Sequence, residues 1–351
     1  MRLVNWDVTN LKRRPCKNSC RLARESISER AIELKGPARE HIMSTHAITP
    51  AAHATIGYAL AKSLRPHQWI KNTLVCGGLI FSRSLFHLPS ILLTLQAFLL
   101  FCFAASSVYL LNDLNDLEED RRHPKKKLRP LAAGLISPTL VAATMCLLAV
   151  GSVVGSFVIN VPFGCLVLFY LAMNVGYSLK LKHVAILDVM IIAIGFVLRA
   201  VAGAVAIRVE PSPWLFLCTL TLALLVGFGK RRNELTVLKD EAASHRVCLE
   251  GYSTHFLDLM MTISAGAAVV TYALYTMADQ TAQRFGSHAL VLTTPFVIYG
   301  IFRYLYLIHM KFEGGDPSKL FVTDKPTLIN GFLWLTSCAF CVYGPRQWMP
   351  W

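Results

Sequence analysis

Three aspartates and an asparagine stand in the pattern N-D-x-x-D-x-x-x-D at Asn112, Asp113, Asp116 and Asp120. Six basic residues follow at once, Arg121, Arg122, Lys125, Lys126, Lys127 and Arg129. If the helix of the preceding apolar run continues, Asn112, Asp116 and Asp120 recur one turn apart and share a side, with Asp113 at its border. Like charges at that spacing repel, and carboxylates near a helix C-terminus oppose the macrodipole. A hard divalent cation that also carries substrate phosphates would offset this cost. The competing reading is a solvated loop whose acids pair with the basic run, in ion pairs worth little when exposed. The elements around the motif have to decide.

Composition places those elements in a membrane. Of 351 residues, 54% are hydrophobic and only 16% charged, against about 25% charged in a soluble domain. Apolar runs broken by short polar loops give nine candidate spans, at 69–87, 91–111, 137–158, 161–179, 185–206, 213–229, 257–277, 289–310 and 327–344. The first is the least regular, because Lys71, Asn72, Ser82 and Arg83 interrupt it. Each span is expected to be helical, since lipid offers the backbone no hydrogen-bond partner. With a cytoplasmic N-terminus, loops 112–136, 180–184, 230–256 and 311–326 share one face, and the other receives only Arg83, Arg208, Arg284 and Arg346. This is the positive-inside pattern, expected of a multi-pass protein of the cell (inner) membrane. It accounts for most of the formal charge of +14 without invoking nucleic acid. The ten cysteines are scattered, several in apolar runs, and point to neither a disulfide framework nor a zinc site.

Residues 1–58 read as a polar, basic extension without the apolar core of a secretory signal. A helical arm at 21–34 or disorder are both open there, and Met43 would make a natural shorter start, a hypothesis that mass spectrometry of the natively expressed N-terminus tests. Residues 59–351 form the transmembrane domain.

Further chemistry lies on the motif's side of the membrane. Arg65-Pro66-His67-Gln68-Trp69-Ile70-Lys71-Asn72 opens the first run, where Arg65 and Trp69 suit interfacial anchoring. Tyr177, Lys180, Lys182 and His183 join the fourth and fifth spans. The fifth carries Asp188 and Arg199 eleven residues apart, close to three turns, so both face one way. Intramembrane charges mark either a bridge between helices or a polar cavity. Lys230, Arg231 and Glu234, with Lys239 and Arg246 after them, are dense enough to bind phosphate oxygens. Positive-inside bias is the alternative. Arg303 is a further charge within a span, and Asp324-Lys325-Pro326 precedes the last one.

Taken together, RPHQWIKN (65–72), the Asp-rich stretch at 109–134, YSLKLKHVAILDV (177–189), FVLRAVAGAVA (196–206) and GKRRNEL (229–235) resemble the UbiA superfamily of intramembrane prenyltransferases. Within it the chain is most similar to the polyprenyl-phosphate phosphoribosyltransferase branch. The resemblance implies an all-α, nine-helix bundle with its active-site loops cytoplasmic. Members that use an allylic diphosphate carry a second D-x-x-x-D motif after span six. Here that position offers Lys230, Arg231 and Glu234, with Asp240-Glu241 adjacent and no such spacing.

What the resemblance implies is transfer of a phosphoribosyl group from 5-phosphoribosyl 1-diphosphate to a polyprenyl phosphate, toward lipid-linked pentose donors for cell-envelope glycans. Mg2+ on Asp113, Asp116 and Asp120, oriented by Asn112, would bind the leaving diphosphate. Lys71, Arg121, Arg129, Tyr177, Lys180, Lys182, Asp188, Arg199, Lys230, Arg231, Glu234 and Arg246 are the candidate substrate contacts. In-line attack by an acceptor phosphate that is already ionised implies inversion at C1. A UbiA-type prenyltransferase with an aromatic or other small acceptor is the alternative. A transporter is disfavoured, because charge gathers on one face and no internal repeat is clear. The bilayer is the implied surrounding, and a homo-oligomer stays open.

Overall fold

The computed structural model describes residues 56–123, 126–238, 247–311, 320 and 323–344. The arm at 21–34, Met43, Lys125, Lys239 and Arg246 lie outside these. In chain order, α1 (Ile56–Ser63) leads through a 3-10 segment (Pro66–Cys76) into the short α2 (Gly77–Phe81). Then follow α3 (Leu88–Asn115), α4 (Leu117–Arg122), α5 (Pro138–Ile159), α6 (Val161–Leu179) and α7 (Leu187–Ala206). The last group is α8 (Pro213–Leu238), α9 (Thr254–Met277), α10 (Asp279–Phe285), α11 (Thr294–Met310) and α12 (Lys325–Tyr343). No strand occurs among the described residues.

Local chemistry starts these helices. Proline occupies the first turn of α3, α5, α6, α11 and α12, where its missing N–H would have had no partner. Ser137, Asn160, Ser253 and Asp324 each accept a backbone N–H three residues on, at the starts of α5, α6, α9 and α12. Among the described residues, eight helices are long and apolar enough to cross a bilayer: α3, α5, α6, α7, α8, α9, α12, and α11 together with the 3-10 turn before it.

The first expected span departs from that pattern. Residues 69–87 fold as the 3-10 segment, α2 and a turn, because polar Lys71 and Asn72 and the pair Gly77-Gly78 interrupt the run. At about 2.0 Å per residue in the 3-10 part and about 1.5 Å in α2, the two pieces rise about 30 Å, near the thickness of a hydrocarbon core. They press against α7. A Cβ on Gly203 would stand 1.9 Å from the Val75 carbonyl oxygen, and one on Gly78 would stand 2.8 Å from the Ala204 nitrogen. Small residues thus bring two backbones into direct contact, as lipid-embedded helices require. α7 lies at the centre, with 67% of its membrane window buried against 11% for α5.

Hydrogen bonds identify the two ends of the bundle. At one, Ser178 of α6 donates to Asn112 of α3, Arg231 of α8 to Asp188 of α7, and Arg303 of α11 to Asp324 before α12. At the other, Arg83 donates to the carbonyls of Val342 and Phe285, and Asn160 to those of Val205 and Ala206. Cys338 and Cys341 stand in a C-x-x-C spacing on α12, and both are buried free thiols.

Candidate active site

α3 does not run on through Asp120. It ends at Asn115, Asp116 breaks the turn with φ −97° and ψ 12°, and α4 restarts at Leu117. The acids that meet are not the Asp116 and Asp120 of the expected shared side. Asp113 and Asp120, on different helices, converge on one guanidinium: Arg129 Nη1 lies 3.1 Å from Asp113 Oδ1 and also donates to Asp120 Oδ2. Arg65 donates to the same Asp113 oxygen, and Lys126 Nζ stands 3.6 Å from Asp120 Oδ1. Asp116 pairs instead with Lys182 Nζ at 2.8 Å, and Asn112 Oδ1 accepts from Ser178 at 2.6 Å. Asp113 and Asp120 are 4% and 1% exposed, so their charges are held by partners and not by water. Asp120 Oδ1 is buried and accepts no hydrogen bond.

The basic partners arrive from three elements. Arg65 sits in the left-handed region, with φ 53° and ψ 58°, at the start of the 3-10 segment. A non-glycine residue there carries backbone strain. Its guanidinium packs 5.0 Å from the Tyr109 ring centre, one turn below Asp113. Trp69 Nε1 donates to Ser106 Oγ, which donates to the Leu64 carbonyl and fixes this entry turn. Arg129 follows the 3-10 turn Lys126–Leu128, and Lys182 lies in the turn Leu181–His183.

A second polar centre lies beside the first. α8 continues nine residues past the expected end of its span, because KRRNELTVL contains good helix formers and no glycine or proline. Lys230, Arg231 and Glu234 therefore sit on the last turns of a helix and not in a loop. Arg231, only 1% exposed, donates to Asp188 Oδ2 at 2.5 Å and to Glu234 Oε2 at 2.7 Å. Tyr252 donates to the other Asp188 oxygen at 2.7 Å, and accepts from the Ile186 N–H. Burial, then this bond to Asp188, holds the Tyr252 phenol well above its usual range, so it stays a donor. Asp188 and Arg231 thus form a bridge between α7 and α8.

Arg199, deeper in α7, faces the broken first segment. Its Nε donates to Asn72 Oδ1 at 2.7 Å, Nη1 to the Gly195 carbonyl at 2.7 Å and Nη2 to the Tyr170 hydroxyl at 2.8 Å. The rings of Tyr170 and Phe196 lie about 5 Å from its guanidinium carbon.

Of the candidate contacts, the structure gathers Asn112, Asp113, Asp116, Asp120, Arg129 and Lys182 in one place. Asp188, Arg231, Glu234 and Lys230 form the neighbouring bridge, with Lys230 Nζ 3.9 Å from Glu234. Arg121 instead points outward in an exposed pair with Glu118, and Lys180 is exposed. Lys71 and Tyr177 are half-buried. Arg65 and Tyr252 were not among the expected contacts. Arg65 read as an anchor because its left-handed turn has no signature in residue type. Tyr252 lies far along the chain from Asp188. Among the described residues no three acidic, histidine or cysteine groups form a ready metal cage.

The sequence profile described as "UbiA prenyltransferase family" matches residues 73–336. A decaprenyl-phosphate phosphoribosyltransferase of Mycolicibacterium smegmatis is 34% identical over 295 residues, covering 81% of this chain and 92% of that protein. One from Corynebacterium glutamicum is 33% identical over 290 residues, covering 81% and 86%. A structure of a UbiA homologue from Archaeoglobus fulgidus bound to GPP and Mg2+ superposes with a TM-score of 0.61 at 18% identity, over 81% of this chain and 99% of that one.

Proposed function

The chain belongs to the UbiA prenyltransferase family, and from that premise we propose that it transfers the 5-phosphoribosyl group of 5-phosphoribosyl 1-diphosphate to a polyprenyl phosphate, releasing diphosphate. The observation that carries this reading is the identity of 33–34% to two enzymes of that name, over 81% of this chain. The end of α8 agrees with it. The acidic residue there, Glu234, is engaged by Arg231 and Lys230, which favours a basic surround for phosphates over a second acidic metal motif.

Oxygen donors suit Mg2+, and the buried Asp120 Oδ1 without a hydrogen-bond partner is an open ligand atom. Asp113, Asp120 and Asp116 are the residues that would hold the ion, with substrate phosphates and water completing its shell. When bound it would neutralise charge developing on the leaving diphosphate. Asn112, fixed by Ser178, orients the first turn of the motif. Arg65, Arg129, Lys126 and Lys182 bring positive charge to where two anions, donor and acceptor, have to approach. The acceptor phosphate is ionised at neutral pH, so it attacks C1 without a strong base as the C1–O bond to diphosphate breaks. Positioning and fixed charge then supply most of the rate. The site faces the cytoplasm of a cell membrane, and the polyprenyl tail stays in the bilayer.

Purified protein given labelled 5-phosphoribosyl 1-diphosphate and polyprenyl phosphates of several lengths should pass label into the lipid extract, with Mg2+ required. Transfer of a labelled prenyl chain from its diphosphate to a small aromatic acceptor, with no ribosyl transfer, would overturn the reading.

A further inference from the structure

The acidic motif holds a charge balance that the reaction has to break. We propose that Arg65 and Arg129 are exchangeable counter-ions: they neutralise Asp113 and Asp120 before the donor arrives, then turn onto its diphosphate oxygens as a divalent cation takes the carboxylates. Cation and diphosphate therefore bind as a unit. This rests on the donor and metal reading above.

The partners differ in mobility. Asp113 and Asp120 are 4% and 1% exposed and sit on helices, whereas Arg65 and Arg129 are 23% and 29% exposed and sit at turns. The anions are fixed, and the cations have room to rotate. A guanidinium fork fits carboxylate and phosphate oxygens equally well, so an arginine can change partner without losing charge-assisted hydrogen bonds. Arg129 Nη1 is shared between both acids, while Asp120 Oδ1 accepts nothing, with Lys126 Nζ 3.6 Å away. The cluster therefore already presents one oxygen to an arriving cation.

Charge decides the order of events. Two carboxylates and two guanidiniums balance, and Lys126, 3.6 Å from Asp120, adds one further positive charge. A dication alone would add its whole charge to a cluster whose acids are already compensated. Diphosphate alone would draw the arginines away and leave two buried carboxylates with only Lys126 beside them. Arriving together, the dication compensates the acids as the arginines compensate the diphosphate. Such coupling is reciprocal, and its usual size is roughly 5- to 150-fold in affinity.

The test uses Mn2+, read by its paramagnetic resonance, and inorganic diphosphate on the full-length protein in detergent, with free Mn2+ corrected for its complex with diphosphate. Diphosphate should tighten Mn2+ binding about tenfold or more in the unsubstituted protein. Arg129→Gln and Arg65→Gln should each bind Mn2+ alone more tightly, because an acid loses its internal cation, and should lose most of the enhancement by diphosphate. A structural salt bridge would do otherwise. Weaker Mn2+ binding in the variants, or coupling as large as in the parent, overturns the proposal. Should a glutamine variant fail to fold, Arg129→Lys keeps the charge but not the planar fork that would grip two diphosphate oxygens at once. Reduced coupling there supports exchange, and unchanged coupling overturns it. Diphosphate is common to phosphoribosyl and prenyl donors. Failure of labelled ribosyl transfer with coupling intact would therefore remove the donor assignment and leave the exchange standing.

Discussion

Asp188 illustrates how one charge inside an apolar helix is made tolerable. Its two oxygens receive Arg231 and Tyr252, and Arg231 in turn reaches Glu234, so each buried charge meets a donor or acceptor of opposite sense. Breaking such a pair costs more than never having made it, since the survivor keeps its charge without compensation. Asp188→Asn leaves Arg231 with Glu234 alone, and should destabilise the detergent-solubilised protein by roughly 3 kcal/mol. The double variant Asp188→Asn, Arg231→Met should recover part of that loss, because the stranded cation is gone and Met fills the space. Thermal midpoints of the parent, Asp188→Asn, Arg231→Met and the double variant form a cycle that isolates the pair. A double variant less stable than Asp188→Asn would mean that Arg231 contributes through packing and Glu234, not through its charge on Asp188.

Among elements, the contact between the broken first segment and α7 is the least forgiving. Gly203→Ala would drive a methyl into the Val75 carbonyl, for which backbone has to move, and should cost about 1–3 kcal/mol or more. Gly266→Ala, in α9, meets nothing within 4 Å and should be neutral or slightly stabilising. Equal thermal midpoints for the two variants would deny the backbone contact. The tie between α11 and α12 offers a pH test. Arg303 and Thr327 hold the Asp324 carboxyl well below the usual carboxylate range. A depressed acid contributes its full stability above its unfolded pKa, about 3.9, and loses it as pH falls from there toward the folded value. Asp324→Asn keeps a capping oxygen but loses the ion pair, so its deficit in thermal midpoint should be the same at pH 7 and pH 5. A deficit that disappears by pH 5 would exclude the ion pair as its source. Eight of the expected spans were legible because apolar runs between charged loops have few other solutions in lipid. α6 matches its expected 161–179. The first run showed its irregularity through Lys71 and Asn72 but not its 3-10 form, and the extension of α8 is written in helix propensity, which hydropathy does not record. The end of α3 at Asn115 was not legible. For the site, the acids were visible as a motif, but the convergence of Asp113 and Asp120 on Arg129 is set by where the turn at 126–129 returns, which no spacing within the motif records.

At the scale of the whole molecule, among the described residues the acids of the motif and most basic residues lie at one end, and the far end keeps Arg83, Arg208 and Arg284. A donor with several phosphate charges does not cross a hydrocarbon core unaided. The orientation of the bundle therefore decides whether the enzyme can be supplied from the cytoplasmic pool of phosphorylated sugars. Basic loops favour the cytoplasmic side during insertion. The motif end should then face inward. Lys127 and Arg208 are both exposed, at the motif end and in the turn after α7. In intact cells, a membrane-impermeant thiol reagent should label Arg208→Cys above the background of the native cysteines. Lys127→Cys should label only after the membrane is opened. The reverse result would place the motif outside, where a sugar donor made in the cytoplasm could not reach it, and the proposed reaction would have to be abandoned for this orientation. Far-end Arg83 gives an internal control. It is tied to the carbonyls of Phe285 and Val342, so a basic residue on that side is held by helix C-termini and is not evidence of a second phosphate site.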